Sequence, residues 1–237
     1  MLRAAFDPHR PGALPRAMSA VLTDWLHLIL RWTHVIAAIM WIGDSFLFMW
    51  MDRALHAPTR PREGEVAGEL WLVHSGGFYE VVKRRRLAPG EMPETLHWFK
   101  WEAYTTWLSG IFLLGVFYFL GRGIYLLDPA RPGLGLGAGI AIAIGFLVAG
   151  WFVYDALWNS PLARRPGFAA LVSLTLIALA AYALTHLFSG RAAYVLLGAT
   201  LGTIMAGNVS EVIVPAQKKM IEPNTGPIQS MPAKLRS

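Results

Sequence analysis

Several stretches of this chain are apolar over lengths that suit a bilayer, and this constrains the fold more than any other feature. A hydrocarbon core about 30 Å thick takes about 20 helical residues. Segments of that length at residues 25–51, 94–127, 134–158, 168–188 and 192–214 predict an all-α fold, a polytopic bundle of about five transmembrane helices. Gly, Pro and charge clusters separate the later ones, at Arg131-Pro-Gly, at residues 161–167 and at residues 189–191. A mean hydropathy of +0.43 with only 15% charged residues agrees with that class. The first segment is too long for the apolar region of a signal peptide and has no small-residue cleavage site after it.

The rest of the chain divides around these segments. Residues 1–24 contain Pro and Arg without periodicity and are expected to be a disordered leader, with Met18 a possible true start. Residues 25–217 form the membrane domain. Residues 218–237, with Pro223, Pro227 and Pro232, are expected to be a disordered tail. The loop at residues 52–93 is the one sizeable extramembrane piece, expected to hold mixed short elements, with Gly76-Gly77 marking a tight turn.

Lys and Arg counts set an expected orientation. With the N-terminus outside, fourteen basic residues fall on the inner side and six on the outer. The expectation is therefore a multi-pass protein of the bacterial inner membrane, with a periplasmic N-terminus and a cytoplasmic C-terminus. In a membrane protein the net charge of +6 is no sign of nucleic acid. The run Lys83–Arg86 most simply meets anionic membrane lipid. The chain has no cysteine, which excludes disulfides, iron–sulfur ligation, thiolate haem ligation and covalent haem attachment through Cys-x-x-Cys-His.

Polar residues inside apolar segments are costly and usually face a cavity or a partner. They fall into two tiers. On the outer side are His27, Arg31 and His34, spaced to share one helix face, and His186 at the end of the fourth segment. His34 and His186 come to similar depth. Two such histidines can grip a b-type haem axially, with iron as the metal, and Arg31 can pair with a propionate. The plainer reading leaves these histidines against headgroups or water. On the inner side are Asp44, Asp52, His97, Glu102, Asp155, Asn159, Asn208 and Glu211, with His74 on the loop. Together they suggest a polar pocket roofed by residues 68–80, able to hold and deprotonate an acidic substrate.

The densest stretch is residues 94–110, where His97, Lys100, Glu102 and Tyr104 crowd among Trp98, Trp101 and Trp107. Pro93 before it suggests a helix starting there and running to residue 127, a rod of roughly 50 Å. On such a helix His97 and Glu102 are about 140° apart and do not share a pocket wall, whereas Trp98 and Glu102 do, as do His97, Trp101 and Tyr104. The alternative reading of the tryptophans is an interfacial aromatic belt.

Three segments carry a family resemblance. THVIAAIMWIGDSF (residues 33–46), ELWLVHSGGFY (69–79) and LHWFKWEAYTTWLSG (96–110) resemble the membrane domain of bacterial membrane-bound urate oxidases, also called urate hydroxylases. The resemblance implies oxidation of urate to 5-hydroxyisourate in purine breakdown. It also implies electrons passing to a c-type cytochrome, which in that family follows the membrane domain. This sequence ends after the fifth apolar segment without a cytochrome module, so a truncated form or an external c-type cytochrome is expected. Taken with the resemblance, Glu102 is the preferred base, with His97, His74 and Asp44 as further catalytic candidates. Lys100, Trp98, Trp101, Tyr104, Asn208 and Glu211 are the candidate substrate-binding residues. Two other readings use the same residues: a haem-binding assembly or carrier protein without urate activity, and a small-anion permease.

Overall fold

The computed structural model describes residues 13–60, 62, 65–87, 90–120, 123–131 and 133–221. In chain order the elements are helix α1 (Ala13–Ala54), strands β1 (Val66–His74) and β2 (Gly77–Arg84), and helix α2 (Lys100–Leu114), which runs into a π-helical turn at Gly115–Phe119. There follow α3 (Leu136–Asn159), a 3₁₀ turn (Pro161–Arg164), α4 (Pro166–Leu187) and α5 (Gly190–Asn208). A second π turn (Val209–Ile213) then leads into α6 (Val214–Ile221). The chain is an all-α membrane protein carrying one small two-stranded sheet. Four described helical stretches have the length and hydropathy to cross a bilayer: Val21–Ala54, Leu136–Asn159, Pro166–Leu187 and Gly190–Ile221. The fifth candidate is α2 with its π turn.

Three boundaries differ from the sequence reading. First, α1 begins at Ala13, so residues 13–24 are helix and not disordered leader. Ala13, Leu14, Ala17, Met18 and Ala20 are good helix formers before the apolar run, and Pro15 falls in the first turn, where a helix tolerates it. Second, α2 begins at Lys100, not Glu94, and its helical course ends at Phe119. It therefore covers about 30 Å at 1.5 Å per residue, not 50 Å. The polar stretch before Lys100 is irregular backbone. Third, residues 218–221 of the expected tail belong to α6. The remaining leader and tail, residues 1–12 and 222–237, lie outside the described residues.

The fold divides into two compact units, one taking the chain up to Ile36 together with Tyr104–Gly207, the other Ala37–Ala103 together with the chain from Asn208. In the first, Leu114, Leu126, Ala143, Leu147, Leu184, Phe188, Ala192, Ala193 and Leu196 form the core. Small residues set its close approaches. The ring of Trp151 lies where a side chain on Gly207 would stand, with Cε3 2.5 Å from an ideal Cβ. The turn between α4 and α5 is closed by polar side chains. Arg131 Nη1 donates to the carbonyls of Thr185 (3.0 Å) and His186 (2.7 Å), which the end of α4 leaves unpaired. Ser189 donates to the Tyr125 carbonyl (2.7 Å) and accepts from the Ala192 amide (3.2 Å), capping α5.

In the second unit the β1–β2 hairpin is fastened at its base. His56 and Glu69 exchange backbone hydrogen bonds (3.1 and 2.9 Å), and Lys83 pairs with Asp52 of α1. Position 68 must be glycine here, because a Cβ would stand 2.9 Å from Leu55 Cβ and 3.0 Å from the His56 carbonyl oxygen. The turn falls at Ser75-Gly76, both with positive φ (49° and 77°), between the paired residues His74 and Gly77. This is the two-residue left-handed turn whose twist matches a hairpin.

Candidate functional site

The sequence-predicted residues fall into two clusters. In the second unit, the irregular lead-in to α2 brings His97 Nε2 to 3.5 Å from Glu102 Oε1. This corrects the expectation that the two face different ways. The 140° separation holds only on a continuous helix, and His97 lies three residues before the helix starts. Aromatic packing holds the lead-in out of helix: Phe99 meets Phe48 edge-on at 4.9 Å and His97 edge-on at 4.6 Å. His97 and Trp98 precede the helix, so the helical spacing expected for Trp98 with Glu102 and for His97 with Trp101 and Tyr104 does not apply to them. The pair is asymmetric, the side chain of His97 being 68% exposed and that of Glu102 only 9%. Glu102 stands in the first turn of α2. Lys100 lies between two indoles, its Nζ 5.0 Å from the Trp98 ring centroid and 5.3 Å from that of Trp101. An exposed imidazole, a shielded carboxylate, an ammonium and two aromatic faces thus occupy six consecutive residues.

The other inner-tier candidates are distributed as follows. Asp44 is half-buried on α1. Asn208, the last residue of α5, is buried, and its Oδ1 has no hydrogen-bond partner among the described residues. Glu211, within the π turn, is exposed and accepts from Ser210 Oγ (3.1 Å). Tyr104 is half-buried on α2. His74 is exposed at the end of β1, and its side chain makes no hydrogen bond or ring contact among the described residues.

The second cluster lies in the first unit, where one face of α1 lies against α2 running antiparallel. His27 stacks on Phe117 (ring centroids 4.0 Å apart), Arg31 Cζ sits 4.4 Å over the same ring, and His34 meets Thr106, Ser109 and Gly110. The expected one-face spacing of His27, Arg31 and His34 is what makes this contact continuous. His34 Nδ1 lies 3.0 Å from the Thr106 carbonyl oxygen and 3.2 Å from Ser109 Oγ. A carbonyl only accepts, so Nδ1 carries a proton in this contact, and in the Nδ1–H tautomer Nε2 is the lone-pair nitrogen. Ser109 gives its own proton to the Thr105 carbonyl (2.6 Å) and so can share in accepting from His34. Gly110 makes room for the ring, since a Cβ there would stand 2.9 Å from His34 Cε1.

His186 is exposed and sits at the other end of its own set of contacts. Its Nδ1 donates to the Tyr182 carbonyl (2.8 Å) and its ring tilts against Tyr182. In the Nδ1–H tautomer Nε2 is again the lone-pair nitrogen. The contacts of His34 and His186 share no residue. Among the described residues, no three His, Cys, Asp or Glu side chains are grouped to hold a metal ion.

One cluster was not anticipated from the sequence. Glu69 is fully buried under the hairpin and accepts from the Thr59 amide and hydroxyl (both 2.8 Å) and from Arg62 Nε (2.7 Å). Arg62 also pairs with Glu80. The two Thr59 donors foremost, then Arg62, hold the Glu69 carboxyl down at about 2. Each pair spans irregular chain, so no fixed spacing announced it.

No curated protein and no solved structure matches the chain. The family model described as urate oxidase N-terminal matches residues 20–234, and the chain belongs to that family.

Proposed function

We propose that this chain oxidises urate to 5-hydroxyisourate at the membrane, on a site built around the His97–Glu102 pair. Family membership places it among urate oxidase N-terminal domains, and the pair is the observation that carries the reading further. The reaction takes in one water and releases two protons and two electrons. Urate is planar and near monoanionic at neutral pH. A site for it needs a flat apolar surface, a cation and a base. Trp98 and Trp101 supply the surface, Lys100 the cation and Glu102 the base, with exposed His97 carrying protons between Glu102 and water. Asn208 Oδ1 is an acceptor of the kind a urate N–H requires, and Asp44 is a further carboxylate of the same unit.

The two electrons need an acceptor, which we take to be a c-type cytochrome. Haem b on the first unit is part of the same proposal. When bound, such a haem supplies one-electron steps. The residues suit it: Thr106 fixes His34 with Nε2 free to ligate, and His186 is held in the same tautomer by Tyr182. Arg31 stacks on Phe117 and is exposed, which leaves guanidinium edges for a propionate.

The test is urate-dependent reduction of cytochrome c by membranes carrying the chain. Glu102→Gln keeps the shape and removes the base, and turnover is expected to fall by roughly 10²-fold or more while the protein accumulates normally. Wild-type turnover in that variant removes Glu102 from the chemistry. Absence of a Soret band in purified wild-type protein removes the haem and leaves the substrate site standing.

A further inference from the structure

We propose that the β1–β2 hairpin is an interfacial anchor, its apolar tip seated in the headgroup region of a bilayer containing anionic lipid. The base of the hairpin is fixed to the end of a membrane-crossing helix. The candidate span ends at Ala54, His56 pairs with Glu69, Leu55 packs under Gly68, and Lys83 pairs with Asp52. The six steps from Gly68 to His74 cover about 20 Å at 3.3 Å per residue. The tip thus lies no further than that from the point where α1 leaves the apolar region.

At that tip the cross-strand pair Val73 and Phe78 is 72% and 81% exposed. Trp71, two positions back from Val73 on the same face, and Tyr79, one position back from Phe78 on the other face, are also more than half exposed. A bare apolar patch on a rigid support marks an interaction surface, and tryptophan with tyrosine is the residue choice of the membrane interface. The support is rigid for two reasons. The turn at Ser75-Gly76 pins the register, and Arg62 ties Glu69 of one strand to Glu80 of the other. Of the basic run at the base, Lys83 and Arg84 pair with Asp52 and Glu91, and the exposed Arg85 and Arg86 supply the complement to anionic headgroups. A water-soluble acidic partner would meet the basic run but gains nothing from Phe78 and Val73. A bilayer accounts for both and is already present at the base of the hairpin.

The chain has no cysteine, so single labels are clean. Phe78→Cys carries a nitroxide, and Val73→Cys is the second variant in case the first misfolds. A label at Ala57→Cys, exposed near the hairpin base, is the reference. The proteins are placed in nanodiscs of phosphatidylcholine with and without phosphatidylglycerol, and accessibility to oxygen and to a nickel chelate is measured. At positions 78 and 73 the oxygen-to-nickel ratio is expected to exceed that at position 57, and to rise further with phosphatidylglycerol. High salt, or Arg85→Gln with Arg86→Gln, is expected to cancel the added rise. A nickel-accessible tip in both lipids overturns the proposal. So does spin–spin broadening that disappears on dilution with unlabelled protein, which would assign the tip to a second copy of the chain.

Discussion

Replacing Gly110 by alanine tests the His34 contact with a single methyl group. The added carbon would stand 2.9 Å from His34 Cε1 and 3.3 Å from Nδ1. Carbon atoms settle at about 3.5–4.0 Å, so the ring must retreat by roughly 0.6 Å or more. The Nδ1–H to Thr106 hydrogen bond, now 3.0 Å, then stretches to about 3.6 Å, where it no longer counts as one. Its loss costs about 0.5–1.5 kcal/mol, and forcing a methyl into a filled contact costs about 1–3 kcal/mol. Alanine's better helix propensity returns about 1 kcal/mol. The expected result is a net destabilisation of about 0.5–3.5 kcal/mol together with a displaced imidazole. The control is Gly198→Ala on α5, where a Cβ meets nothing within 4 Å. There the same change is expected to be neutral or stabilising by up to about 1 kcal/mol. Thermal unfolding in detergent reads the stability. The visible spectrum reads the ring, since a haem held through His34 shifts or loses its Soret band when Nε2 moves. If Gly110→Ala melts no earlier than Gly198→Ala and leaves the spectrum unchanged, the packing of His34 against α2 is wrong.

Glu69 titrates at about 2, below its ordinary 4.5, so the hairpin base gains stability that is complete above pH 4.5 and disappears as pH falls toward 2; hydrogen exchange of β1 amides should accelerate over that window, and Glu69→Gln should remove the dependence. Cysteine at Arg86 should resist impermeant thiol reagents in intact cells if the basic-rich side faces the cytoplasm, and ready labelling there would invert the orientation. Gly207→Ala would bring a methyl within 2.5 Å of the Trp151 ring carbon Cε3 and, with backbone on one side and an indole on the other, is expected to destabilise the first unit by about 1–3 kcal/mol, measured as a lower unfolding temperature.

The membrane class and the hairpin turn were legible because each is a local rule. Apolar length reports a bilayer crossing, and Gly76-Gly77 after an apolar run reports a tight turn, realised with Ser75 and Gly76 as its central residues. The face shared by His27, Arg31 and His34 was legible for the same reason. The start of α2 was not. Pro93 and the polar residues after it read as a helix beginning, but Phe99 and His97 gain more from packing on one another and on Phe48 than from one further helical turn. That single tertiary preference is what brings His97 to Glu102. The Arg62–Glu69–Glu80 cluster escaped notice because its members come from a loop and two strands, and only pairing the strands aligns them.

The separation of Asn208 from Glu211 has a different origin. Both were expected to face one pocket from their place on the inner side, and on a regular α-helix residues three apart do lie nearly above one another. The π turn at Val209–Ile213 intervenes. Its bonds reach one residue further than α-helical ones, so each turn holds more residues and the later side chains rotate back relative to the earlier ones. Asn208 and Val209 are therefore both buried while Glu211 swings out to the surface. The same device appears at Gly115–Phe119, where it carries Phe117 against His27 and Arg31. Such turns forfeit regular helical bonding and persist where a function or a contact offsets the loss. In α5 the π turn leaves a buried amide oxygen, Asn208 Oδ1, without a partner among the described residues. A buried acceptor left open is costly unless something donates to it. On the proposed function, a substrate N–H would be that donor.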